Sequence, residues 1–133
     1  MAQAIEGRVK ELIEAPNISY VGTVRSDGAP QVNPTWIGFE DGVVTLNSAE
    51  GRKWPENLRR DPRITITVAD AENPYEYVMI RGRLAEETKE GADDHINKLS
   101  KKYLGQDEYP FRQPGEERLI FRIEPERVHH MGG

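Results

Sequence analysis

The chain has 133 residues, and its 18 Lys plus Arg against 23 Asp plus Glu give a formal net charge of -5. That length predicts one domain over 1–133, and the absence of cysteine excludes disulfides, thiolate metal sites and thiol nucleophiles. The acidic balance speaks against bulk nucleic-acid binding, and no apolar run approaches the roughly 18 residues of a membrane span. The start Met1-Ala2-Gln3-Ala4-Ile5-Glu6 has neither the basic nor the apolar region of a secretory signal, so the expected location is cytoplasmic.

Residues 3–14 read as an amphipathic helix, because Ile5, Val9, Leu12 and Ile13 fall on one stripe. Pro16-Asn17 ends it, and the period changes to two. A strand is expected over 18–25, a turn at Ser26-Asp27-Gly28 and a return strand over 31–39. Pro34 sits inside that return strand. Proline cannot donate to a ladder, so an edge, a bulge or a contact with something other than a strand is expected there. A turn at Glu40-Asp41-Gly42 leads into a strand over 43–47. The β pattern breaks across 48–63, where a short helix should start near Arg52 to Pro55 and stop before Pro62. Ile64, Ile66 and Val68 alternate with Thr65 and Thr67 as a strand. A turn over 70–74 precedes a long strand over 75–86, with Gly82 a candidate bulge. A second helix is expected over 88–104, with Ile96, Leu99, Tyr103 and Leu104 inward and Gly105 as its stop. A polar loop follows to Glu116, then strands over 119–123 and 127–131. Strands joined by tight turns rather than crossover helices predict a mainly β fold, an antiparallel barrel with peripheral helices.

Side chains able to carry chemistry are few. His95 has no His or Glu at i+4, and the adjacent His129 and His130 point to opposite faces of a strand, so all three read as surface or rim residues and no metal site is expected. There is no G-x-S-x-G turn and no Ser-x-x-Lys, so no catalytic triad is expected. Asp93 and Asp94 belong to a solvated acidic face. The run Arg59-Arg60-Asp61-Pro62-Arg63 reads as a helix end whose cations oppose the dipole and pair with nearby acids.

Residues 47–54 are more suggestive. Asn47 and Ser48 end a strand, Gly51 permits a sharp turn, and Arg52 and Lys53 arrive as a helix begins. A helix start offers free N–H groups and partial positive charge, and two cations beside it suit a phosphate. A basic, solvated helix start fits the same residues. Trp36, Trp54, Tyr75 and Tyr77 could border a flat cofactor at a barrel rim, or serve as core or dimer contacts.

The ordered set of these motifs resembles a known group. Val21-Gly22-Thr23-Val24, then Asp27-Gly28-Ala29-Pro30-Gln31-Val32 with Pro34 and Trp36, is similar to the start of the pyridoxamine 5'-phosphate oxidase-like split β-barrel superfamily. Ser48-Ala49-Glu50-Gly51-Arg52-Lys53, Asn57-Leu58-Arg59-Arg60-Asp61-Pro62-Arg63, Tyr75-Glu76-Tyr77-Val78 and Arg81-Gly82 resemble its F420-dependent flavin/deazaflavin oxidoreductase B group. The likeness covers nearly the whole chain. It implies a homodimer with two cofactor sites at the subunit seam, and transfer of hydride from reduced coenzyme F420 to an unsaturated or conjugated small molecule. It also implies that Arg52 and Lys53 meet phosphate. The ring system would lie along Pro34 and Trp36, near Thr45, Leu46, Asn47 and Ser48 and bordered by Trp54. Asn57, Tyr75 and Tyr77 are further implied contacts, the tyrosines from the partner subunit. No protein side chain is implied as catalytic, because the cofactor carries the redox chemistry. In many members the Lys comes two positions after the Arg; here Lys53 follows directly and Trp54 fills the later place. An FMN enzyme on the same fold, or a non-catalytic carrier of a cofactor or tetrapyrrole, are the alternative readings.

Overall fold

The computed structural model describes residues 4–132. In chain order they form α1 (Gly7–Glu14), β1 (Ser19–Val24), β2 (Pro30–Thr35), β3 (Ile37–Glu40), β4 (Val43–Ala49), α2 (Lys53–Arg60), β5 (Arg63–Asp70), β6 (Asn73–Thr88), α3 (Ala92–Leu104) and β7 (Arg118–Met131). The strands make one sheet in the order β2-β1-β5-β6-β7-β4-β3, with antiparallel pairing throughout.

That order explains the break in the expected strand over 31–39. β2 pairs with β1 at one edge, β3 pairs with β4 at the other, and Trp36 alone joins them. The chain steps from one sheet edge to the other in a single residue, so the sheet must curl on itself. The two edges meet there without pairing, and the result is a split barrel. Pro34 lies in β2, an edge strand, where its missing N–H is tolerated.

The barrel interior is filled by the alternating side chains. Ile64, Ile66 and Val68 are buried while Thr65 is exposed, as the period of two requires. Phe121, Ile37, Leu46, Ile80 and Val21 complete this core from the other strands. β4 departs from alternation: Val44 through Ala49 are all buried. Its inner face meets the core, and its outer face is covered by α3, from which His95, Ile96 and Leu99 are buried. α1 closes one end with Leu12 and Ile13. α2 lies against β1 and inserts Trp54 onto Phe121, with ring centroids 5.1 Å apart.

Several boundaries differ from expectation. α1 begins at Gly7, with residues 4–6 in no regular element; Gln3 of the expected helix lies outside the described residues. The helix expected over 88–104 begins at Ala92, because β6 runs on to Thr88 in register with Ile120 of β7. Leu104, expected inward, is exposed. The two strands expected at the C-terminus are one strand, β7. The register shift opposite Pro125 lets it continue past a residue without an N–H. Gly82 sits at that shift, and a Cβ there would lie 2.6 Å from the Glu124 carbonyl oxygen. Gly105 ends α3 with φ 73°, a left-handed conformation that glycine adopts at little cost. Arg59 pairs with Glu87 and Glu50, and Arg63 with Asp61, as expected, whereas Arg60 donates to the Val24 carbonyl and to Asn57.

Candidate functional site

A cleft of about 230 Å³ opens where the two sheet edges meet. Pro34 and Trp36 form one wall, Asn47 and Ser48 at the end of β4 the floor, and Arg52 and Trp54 at the start of α2 the far end. Tyr109 and Phe111, from the loop after α3, continue the wall that Trp36 begins, and Arg118 opens β7 beside the floor.

Trp36 is held in place from behind. Its ring stacks on Tyr103 at 5.3 Å and 6°, and Tyr109 meets it edge-on at 5.9 Å. Tyr103 is itself pinned: its hydroxyl donates to the Asn17 carbonyl at 2.6 Å and accepts from the Ile37 N–H at 3.1 Å. Burial pushes that hydroxyl up to about 12, so it stays protonated. Lys102 supports the same corner from inside, donating to the carbonyls of Ile13 and Ile37 at 2.6 Å each. Burial brings its ammonium down to about 8.

The floor is a buried chain of polar groups. Arg118 Nη1 donates to Glu116 Oε1 at 2.9 Å, and Arg118 Nε donates to Asn47 Oδ1 at 2.9 Å. Asn47 Nδ2 donates to the Ala92 carbonyl and to His95 Nδ1, each at 3.0 Å. His95 Nε2 then donates to Thr45 Oγ1 at 3.0 Å. The chain fixes its own orientation: a flipped Asn47 amide would turn its oxygen on the Ala92 carbonyl and its NH2 on the guanidinium. With Asn47 donating to Nδ1, the imidazole proton belongs on Nε2. Burial lowers the His95 pKa to about 4, so it stays neutral. His95 is thus an interior residue, not the surface or rim residue its helix suggested. Of the other two histidines, His129 is exposed, whereas His130 is half-buried and reaches Glu76 at 2.9 Å.

Of the residues singled out from sequence, Pro34, Trp36, Asn47, Ser48, Arg52 and Trp54 converge on this cleft. The others do not. Thr45 is buried beneath it against His95, and Leu46 belongs to the barrel core. Arg52 and Lys53 diverge at the start of α2: Arg52 faces the cleft, while Lys53 opens on a neighbouring hollow beside Arg25, Glu56 and Arg60. Asn57 is buried, its amide donating to Thr23 and Gln31 and accepting from Arg60, which ties α2 to β1 and β2. Tyr75 is 83% exposed at the start of β6, and Tyr77 is half-buried on the same face; neither lines the cleft. Tyr109, Phe111 and Arg118 were not anticipated. The first two come from a loop without periodicity, and Arg118 carries no local motif.

These residues fit a phosphorylated, flat cofactor. Arg52 has no ion-pair or hydrogen-bond partner among the described side chains, and it caps an eight-residue helix whose first N–H groups are free. Flat rings occupy the other wall.

The family described as pyridoxamine 5'-phosphate oxidase matches residues 5–132. Among solved structures, an F420 reductase superposes with a TM-score of 0.82 at 26% identity, covering 94% of this chain and 98% of its own. A conserved hypothetical protein from Mycobacterium tuberculosis superposes at 0.73 with 19% identity, over 98% of this chain and 88% of its own. General stress protein 26 from Bacillus anthracis does so at 0.67 with 16% identity, over 91% and 88%. The last two likenesses speak for the fold alone. With nearly its whole length matched and its sheet a split barrel, the chain belongs to the pyridoxamine 5'-phosphate oxidase family, a family that includes oxidoreductases.

Proposed function

We propose that the protein is a reductase that uses coenzyme F420, moving a hydride from the reduced deazaflavin to an unsaturated or conjugated small molecule. The observation that carries this reading is the cleft itself: a free arginine at a helix start at one end, braced aromatic rings at the other. The likeness to an F420 reductase supports it. When bound, the cofactor supplies the hydride, which needs no protein nucleophile. Arg52 and Ser48 hold its phosphate through charge-assisted bonds. Trp36 and Pro34 border the ring, and Trp54 closes the far end. The stacking of Trp36 on Tyr103 fixes the wall before the cofactor arrives, which lowers the ordering cost of binding.

The working unit in this reading is a homodimer. At about 230 Å³ the cleft is smaller than ordinary ligand sites, which run from about 300 Å³ upward, so a further wall is needed. The outer face of β1 and β2 runs up to the cleft at Pro34 and exposes Tyr20 by 50% and Val32 by 65%. A second copy seated there covers that apolar face and brings a wall to the cleft, with Tyr75 and Tyr77 as contributed residues.

The test is fluorescence titration of the purified protein with F420, with Arg52→Glu beside wild type. Replacing the cation by an anion should weaken binding by about a hundredfold or more. Equal affinity in the variant rejects Arg52 as the phosphate ligand. Preference for FMN over F420 assigns the cleft to flavin chemistry on the same fold.

A further inference from the structure

A second hollow, of about 300 Å³, lies on another flank of α3, between that helix, the end of α1 and β3. Among the described residues, Leu99 alone borders both this hollow and the cleft. Phe39 and Leu99 give the hollow an apolar lining. Gly38 adds no side chain to fill it, and a Cβ there would lie 2.6 Å from Thr45 Oγ1 and 3.5 Å from Leu99 Cδ2. Lys102 lines the same space, and its Nζ donates to the Ile13 and Ile37 carbonyls at 2.6 Å each. An ammonium has three N–H groups, so one is left for the hollow. Both acceptors are neutral, and no carboxylate of the described residues forms an ion pair with Lys102. Glu14 acts on it only through space. Lys98, the other lysine here, is paired with Glu40 at 3.8 Å, and His95 Nε2 is spent on Thr45. A half-buried charge with no counterion is costly, and burial brings the Lys102 ammonium from 10.5 down to about 8.

We propose that this hollow is a second ligand site, separate from the cleft, that takes a small monocarboxylate with an apolar body. The carboxylate accepts the third N–H of Lys102 and supplies the counterion that the protein does not. The apolar body covers Phe39 and Leu99 and removes their surface from water. One free donor and one unpaired positive charge suit a monoanion. A phosphate monoester brings close to two negative charges, and the second would stand uncompensated beside Glu14 and Glu40. A neutral ligand leaves Lys102 without a counterion, and a cation opposes it. The site does not depend on which cofactor occupies the cleft.

The probe is para-fluorobenzoate, with para-fluorobenzyl alcohol as a neutral control of similar size. Each is titrated into isotope-labelled protein at neutral pH and followed by amide chemical shifts. The benzoate should move the amides of residues 38–40 and 98–102 in a saturable way and leave those of Ser48 and Arg52 in place. The alcohol should bind about tenfold more weakly or worse. The fluorine signal then gives the affinity across about pH 6 to 9.5. Affinity should fall by about tenfold per pH unit above 8, as Lys102 loses its proton. Lys10 and Glu14 of α1, Glu40 of β3, and His95, Lys98 and Tyr103 of α3 are the other ionisable groups around this corner. Of these, burial holds His95 at about 4 and Tyr103 at about 12, outside that range. Lys102→Met should lose about ten- to a hundredfold in affinity, and its amide spectrum shows whether it is folded. If it is unfolded, the pH series and the alcohol control on wild type still decide. Shifts at Ser48 and Arg52 in place of residues 38–40, equal binding of the alcohol, or an affinity that stays flat through pH 8 each overturn the proposal. So does full affinity in folded Lys102→Met, or no saturable binding to wild type.

Discussion

His95 shows what the buried residues of the floor require. It accepts a bond from Asn47 at Nδ1, and a proton on Nδ1 would turn that contact into two opposed donors. Burial lowers its pKa from 6.5 to about 4. Between those values the unfolded chain binds more protons than the folded one, so stability is full above pH 6.5 and falls as pH drops towards 4. The loss amounts to about 3 kcal/mol. Glu76 acts further down: its bonds from Arg8 and then His130 hold its carboxyl at about 2, so its contribution disappears as pH falls from 4.5 towards 2. Denaturant unfolding across this range should show the first loss in wild type, and His95→Gln should flatten it above pH 4. An unchanged slope in that variant would place the proton uptake elsewhere. The sequence did point to Asn47, Arg52 and Trp36, because a strand end, a helix start and a proline-bearing strand are local signals. It did not point to His95 as a floor residue. Its burial depends on α3 lying over β4, a contact no local pattern records.

Elements were legible where periodicity was strict. The alternation in β5, the stop of α3 at Gly105 and the bulge at Gly82 were all readable from residue type. The break at Trp36 was not, because a one-residue step between sheet edges carries no Gly-Asp or Asn-Gly signature. The start of α3 was misplaced for a related reason: pairing of Glu86 to Thr88 with β7 overrides a polar stretch that looks helical. The bulge carries its own prediction. In Gly82→Ala the new methyl meets the Glu124 oxygen at 2.6 Å and the Ile123 Cγ2 at 2.8 Å, and the first of these is backbone. Thermal or denaturant unfolding should show a loss of about 1–3 kcal/mol. No loss would mean that β7 can shift away from β6 at little cost. Packing of α2 gives a second case. Leu58 is fully buried under β1, and Leu58→Ala should cost about 2–5 kcal/mol and loosen Trp54 against Phe121.

At the scale of the whole molecule, the barrel leaves a small cleft at its split and an apolar face beside it. The proposed dimer accounts for both. Tyr20→Asp with Val32→Asp should convert the assembly to a monomer in analytical ultracentrifugation and weaken cofactor binding in parallel. Loss of the dimer with unchanged cofactor affinity would mean that one copy forms the whole site. The split-barrel architecture was legible in the order of motifs along the chain. A partner's share of the cleft was implied by the resemblance alone, with no segment of the chain signalling it, and it belongs to the proposed dimer.

The most direct measurement is a parallel titration of the purified protein with F420 and with FMN, followed by fluorescence. Tight binding of F420 with weak binding of FMN is the expected result. Tight FMN binding with none for F420 would contradict the deazaflavin reading, and binding of neither would contradict the assignment of the cleft as a redox-cofactor site.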